Sequence, residues 1–188
     1  MRIIGIDPGS VITGIGIVDC SSDRMTLVDA DTVLLNKTHN INYRLKIIYD
    51  EILRKINLFK PELFAIETAF YGKNIQSTLK LGQARGVAII AALNCGLEIF
   101  EYAPREIKRS LTGNGASSKE QVLFMVKRIL NINREFEYID SSDALAAAIC
   151  HFHNLSSLTS INVGKISTKA GLRSGWTKFA AVNPTKLL

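Results

Sequence analysis

The chain has 188 residues, 47% of them apolar, and a formal charge of +6. That length and apolar content suit one domain of ordinary size with a full core. They exclude a bilayer-spanning helix, because the longest apolar run, 87–93, is far shorter than the roughly 20 residues such a helix needs.

The charge is unevenly spread. From residue 155 onward Lys165, Lys169, Arg173, Lys178 and Lys186 meet no acidic residue, so this stretch carries +5 and residues 1–154 only +1. The expected organisation is a folded domain over 1–154 and a basic, flexible tail over 155–188. Such a tail attracts polyanions by counterion release; a solvated tail without a specific role is the plain alternative. Cys20, Cys95 and Cys150 are odd in number and widely spaced, which reads as reduced core thiols in a cytoplasmic protein. The opening MRIIGIDPGS places a charged Asp7 inside its short apolar stretch, unlike a signal peptide.

In chain order, residues 1–7 read as a strand closing in the Pro8-Gly9 turn. TGIGIVD at 13–19 reads as a second strand whose glycines allow close backbone approach, and the polar–apolar alternation over 25–35 predicts a third. Residues 40–58 show helical spacing, with Leu45, Ile48, Ile52, Leu53 and Ile56 along one stripe. LFAIE after Pro61 predicts a short buried strand ending on Glu67. Residues 74–94 read as a long helix whose Gly82, Gly86 and alanines would let another element pack very close. A last strand over 97–102 and helices over 104–111, 118–130 and 141–153 complete the chain. Three early strands followed by alternating helices and strands indicate an α/β fold, a mixed sheet covered by helices.

Asp7, Glu67, Asp140 and Asp143 end buried strands or open a buried helix. A carboxylate in such a place is costly unless a cation or donor compensates it. If they converge, they form an oxygen-rich cage suited to Mg²⁺ or Mn²⁺. Each also has a plainer reading. Asp7 suits a turn residue, Glu67 a solvated strand end, and Asp140 an N-cap with Asp143 inside the first turn. Phe70 and Tyr71, with Lys73 beside them, follow Glu67 and suit either base stacking or burial. Lys108, Arg109 and Lys119 flank the loop TGNGASSK, where phosphate contact competes with ordinary surface solvation. That loop is no Walker A, since Glu120 follows Lys119, and TGIGIVD is no dinucleotide fingerprint. His151 and His153 lie two apart on a helix and face different ways, so a shared metal is not expected.

With these residues assembled, the chain resembles the RuvC family of Holliday junction resolvases, within the ribonuclease H-like superfamily. The resemblance covers residues 1–154. It rests on GIDPGS at 5–10, FAIE at 64–67, LKLGQARGVAI at 79–89, EYAPREIK at 101–108, GNGASSKEQV at 113–122 and DSSDALAAAICH at 140–151. It implies a ribonuclease H-like mixed five-stranded sheet flanked by helices. By the same resemblance Asp7, Glu67, Asp140 and Asp143 are the catalytic acids and hold Mg²⁺, with Mn²⁺ as a substitute and two ions per subunit. Phe70 matches the aromatic that the family inserts near the strand exchange point, and Lys108 and Lys119 match its basic cleft residues. The implied activity is structure-selective cutting of four-way DNA junctions by paired, symmetric nicks in recombination and repair, with RuvA–RuvB as a partner. A two-fold junction calls for a symmetric homodimer; the helix over 78–94 is the candidate face, and packing on its own sheet is an equally sound reading of that helix. A non-catalytic junction binder and a nuclease for RNA–DNA hybrids are the competing readings. An actin-like ATPase would need a chain about twice as long.

Overall fold

The structure, a computed structural model, describes residues 1–163 except 23, 69–73 and 134, with side chains as far as 156. Apolar runs of strand length build the sheet: β1 (Arg2–Asp7), β2 (Ile12–Cys20), β3 (Met25–Leu34), β4 (Leu63–Glu67) and β5 (Glu98–Tyr102). The order across the sheet is β3-β2-β1-β4-β5. β1, β2 and β3 form the expected antiparallel meander, while β4 runs parallel to both β1 and β5. This is the mixed five-stranded, ribonuclease H-like arrangement that the resemblance implies.

Side chains alternate between the two faces of a strand, and here the alternation separates two cores. Ile4, Ile6, Ile15, Ile17, Phe64 and Ile66 pack on one face beneath α1 (Ile41–Phe59) and α2 (Ile75–Asn94). Ile3, Val18 and Ala65 look the other way, toward α3 (Pro104–Thr112), α4 (Lys119–Ile129) and α5 (Ile139–Val163). Each fully buried isoleucine contributes roughly 1.5–3 kcal/mol. The helices start where capping chemistry is encoded. Asn40 accepts the amide of Tyr43, Asn74 that of Ser77, and Ser118 with Gln121 forms a capping box. Pro104 opens α3, and Gly113 closes it at φ 77°, a left-handed position that favours glycine.

One expectation needs correction. α5 begins at Ile139 and runs to Val163, earlier and longer than 141–153. Ser141 and Ser142 turn their hydroxyls back onto the carbonyls of Tyr138 and Ile139 at 2.8 and 2.7 Å, and no glycine or proline interrupts the run before Gly164. Asp140 therefore lies inside the first turn and is not the cap. On α2 the alanines and glycines part company. Ala84, Ala88, Ala91 and Ala92 are buried on the chain's own sheet, whereas a Cβ on Gly82 or Gly86 would meet nothing within 4 Å among the described residues. No described part of this chain packs at those glycines, which leaves them open to another element.

The compact unit treated below is Met1–Leu155. Beyond it, the end of α5 is the last described segment; 164–188, most of the expected tail, lie outside the described residues. Among the described residues no helix is long and apolar enough to cross a membrane.

Candidate active site

Asp7 and Glu67 are the final residues of β1 and β4, parallel neighbours in which Ile6 pairs with Ile66. The next step of that register puts the two acids side by side, on strands about 4.8 Å apart. Asp7 shares the parity of Ile3 and Glu67 that of Ala65, so both point to the α5 face. Across the other edge of β1, Asp7 pairs with Gly14. A Cβ at Gly14 would lie 1.9 Å from the carbonyl oxygen of Asp140, so only glycine admits the start of α5 at this depth. Asp140 is thereby delivered to the end of β1, and Asp143 follows three residues later on the same helical face.

The turn after Asp7 is held by other groups. The Thr13 hydroxyl donates to the Gly9 carbonyl at 2.7 Å, and the buried Arg44 reaches from α1 to donate to the Ser10 carbonyl at 2.6 Å. The plain reading of Asp7 as a turn-former is thus not what the hydrogen bonds support. Arg44 was missed from the sequence, although a basic residue one turn before Ile48 on an apolar stripe is its signal.

Asp7, Glu67 and Asp143 line one cavity of about 190 Å³, together with Lys108 of α3 and Lys119 of α4. The Lys119 Nζ donates to Asp143 Oδ2 at 2.8 Å. Burial pushes Asp7 up to about 8, reinforced by the charges of Glu67, Asp143 and Asp140 and opposed by Lys119. Burial likewise pushes Glu67 up to about 7, reinforced by Asp143 and opposed by Lys119 and Lys108. Two carboxyl groups raised by burial and by neighbouring acids form a site that favours a cation. Asp140 is not part of the cavity lining, but its charge reaches Asp7.

Among the described residues, no three carboxyl groups stand close enough as placed to ligate one ion together. The donor chemistry nevertheless fits a hard divalent cation, which takes carboxylate oxygens. The four acids are part-buried, acidic neighbours act on Asp7 and Glu67, and the Lys119 ammonium is bonded to Asp143. Phe70, Tyr71 and Lys73 lie outside the described residues. His151 and His153 take separate partners: His151 Nδ1 meets the Tyr102 hydroxyl at 2.7 Å with its ring stacked on Phe100, and His153 Nδ1 meets Ser110. Cys20, Cys95 and Cys150 are free thiols, Cys20 and Cys150 buried.

The family model of crossover junction endodeoxyribonuclease RuvC matches residues 3–151. The crossover junction endodeoxyribonuclease RuvC of Chloroherpeton thalassium is 42% identical over 184 residues, covering 98% of this chain and 97% of its own. That of Salinibacter ruber is 42% identical over 187 residues, covering 100% and 99%. Among solved structures, Thermus thermophilus RuvC in complex with a Holliday junction substrate aligns with a TM-score of 0.80 at 29% identity, over 85% of this chain and 97% of that one. The yeast mitochondrial Holliday junction resolvase Ydc2 aligns at 0.58 and 13% identity, over 84% and 82%, a likeness of fold alone. On a matching profile that spans most of the chain and relatives 42% identical along nearly all of it, the chain belongs to the RuvC family of crossover junction endodeoxyribonucleases.

Proposed function

We propose that this chain resolves four-way DNA junctions by hydrolysing phosphodiesters in paired, symmetric nicks, with divalent magnesium held by Asp7, Glu67, Asp140 and Asp143. One observation carries the reading: Asp7, Glu67 and Asp143, distant in sequence, line one cavity with Lys108 and Lys119, and Asp140 lies within electrostatic reach. Two bound divalent ions would supply water activation and charge neutralisation at the phosphate. The protein's part is to hold hard oxygen ligands at the sheet ends and to aim two ammonium groups at the cavity. In-line attack by water would leave a 5′-phosphate and a 3′-hydroxyl. Lys108 and Lys119 would draw the scissile phosphate in and steady its developing charge. Phe70, Tyr71 and Lys73 remain proposed DNA contacts, close after Glu67 in the sequence.

The two-fold symmetry of the substrate calls for two such sites. Support for a homodimer lies on α2. Ile75, Leu79, Gly82, Gly86, Ile90 and Leu93 recur at intervals of three or four, and the four apolar side chains are more than half exposed. The stripe suits a second copy of the same helix, with the glycines allowing close approach. The nuclease unit is taken to end at residue 154, with the basic stretch after it as an added attraction for DNA. The family resemblance extends the reading to RuvA–RuvB as a partner.

The test is a nicking assay on a synthetic four-way junction with Mg²⁺, beside an RNA–DNA hybrid. Paired cuts in the junction are expected, and Asp7→Asn should lose roughly 10³-fold, as a loss of several kcal/mol of charge stabilisation implies. Equal cleavage by both proteins would remove Asp7 from the mechanism. Preference for the hybrid would give the site to another substrate.

A further inference from the structure

Lys119 is the first residue of α4 and 64% of its side chain is exposed, whereas the Asp143 side chain it grasps is only 13% exposed. A long cationic side chain anchored at the rim therefore reaches inward and engages a carboxylate oxygen inside the cavity. Lys108 lines the same cavity and makes no ion pair among the described residues. The two lysines are thus unlike: one faces the acids across the cavity, and the other is bonded to one of them.

We infer that Lys119 is a built-in counter-ion that competes with a divalent cation for Asp143, so that loading the site releases its ammonium toward the phosphate. This rests on the metal reading given above. Asp143 Oδ2 lies 2.8 Å from Nζ, and a cation drawing on the same carboxylate must outbid an ammonium already in place. The ammonium is a compact charge on a four-carbon stem, so it can leave Asp143 without moving α4. Once displaced, it stays tethered beside the cavity, where a phosphate needs a cation that is not already paired.

Removing Lys119 should tighten metal binding while slowing cleavage, whereas a merely structural lysine would weaken both. The measurement is calorimetric titration of the full chain with Ca²⁺ or Mn²⁺ in the absence of DNA. Lys119→Met is expected to bind roughly two- to fivefold more tightly than wild type, the size of a part-exposed ion pair. Lys108→Met should gain less than half of that change, and Lys119→Arg, which keeps a cation in place, should stay within about twofold of wild type. Nitrogen-15 spectra of the lysine ammonium groups give a second readout: the Lys119 signal should shift on adding Ca²⁺ while that of Lys108 moves less. Equal gains for the two methionine variants would mean a general field, not a competing contact, and would overturn the inference. So would a Lys119→Met protein that binds no better than wild type, or a Lys119→Arg protein that binds as tightly as Lys119→Met. A wild-type chain that binds neither ion would instead bring down the metal reading itself, and this inference with it.

Discussion

Gly5 faces Gly16 across the β1–β2 pair, and a Cβ on either would strike the backbone of α5. It would lie 2.0 Å from the Ala144 carbonyl oxygen in one case and 2.6 Å from the Leu145 amide in the other. With Gly14 and Ala65, these residues make a small-residue floor on which the acid-bearing helix rests. Gly14→Ala cannot be absorbed by a side-chain rotation, because the obstacle is the Asp140 carbonyl, 1.9 Å away. The helix start must lift. The expected outcome is a loss of about 1–3 kcal/mol in urea unfolding, as for overpacked cores. Cleavage should fall roughly 10²-fold, the cost of an ångström-scale misplacement. Unchanged activity in a folded Gly14→Ala protein would mean that the depth of α5 does not govern the site.

The raised acids make stability depend on pH in a direction opposite to that of ordinary ion-paired carboxylates. Asp7 is pushed up to about 8 from an ordinary 3.8, by burial first and then by its acidic neighbours. Such a group binds more protons folded than unfolded. Its favourable contribution is complete below pH 3.8 and is lost as pH rises toward 8. Asp19, lowered by the Arg2 hydrogen bond, changes its contribution only at acid pH below that window. His151, lowered by burial, acts the other way below about 6.5, so the informative quantity is a difference between proteins. In chelator, the melting temperature of Asp7→Asn is expected to gain steadily on wild type from pH 4 to 8. Parallel melting curves across that range would show that Asp7 is not raised.

Much of the fold was legible because its signals are local. A buried strand that ends on an acid can be read from five residues, as LFAIE shows, and the caps at Asn40, Asn74 and Ser118 sit where the helices begin. The glycines of β2 also announced the close approach they permit. What local patterns alone do not carry depends on partners distant in sequence. The pairing of β1 with β4, which brings Asp7 to Glu67, joins segments about sixty residues apart, and neither strand encodes its neighbour. The same holds for Lys119 on Asp143 and for Arg44 on the turn after β1. Asp140 was misplaced as a possible cap because aspartate suits either role at a helix start. The serine hydroxyls that accompany the earlier start are visible only in three dimensions.

Lys55 reaches from α1 to β3 with its side chain 6% exposed, holding Asp29 at 2.6 Å and Asp31 at 2.5 Å. The partners are wetter than the lysine, so the two ways of breaking the cluster should differ. Lys55→Met leaves carboxylates that water can reach and adds apolar surface over the Phe59 ring, which the ammonium now overlies; a cost under about 1 kcal/mol is expected. The double change Asp29→Asn with Asp31→Asn strands a buried ammonium and should cost about 3 kcal/mol. Urea titration of both variants checks the ordering, and a larger loss for Lys55→Met would reverse the account.

If the outward stripe of α2 is the proposed dimer face, it separates association from folding. Because, among the described residues, no other part of the chain lies within 4 Å of a Cβ at Gly82 or Gly86, a larger residue there strains no described contact of the single chain. Alanine in a helix interior is better than glycine by about 0.5–1 kcal/mol, so Gly86→Ala should not destabilise the protomer. Leu79→Glu combined with Ile90→Glu places charge on two exposed apolar positions and should leave the fold intact while preventing self-association. Sedimentation velocity is expected to show a shift from dimer to monomer. The junction assay should then show single, uncoupled nicks in place of paired ones, since each protomer carries all of its own acids on β1, β4 and α5. A variant that remains dimeric and still cuts both strands together would move the interface to another face of the protein.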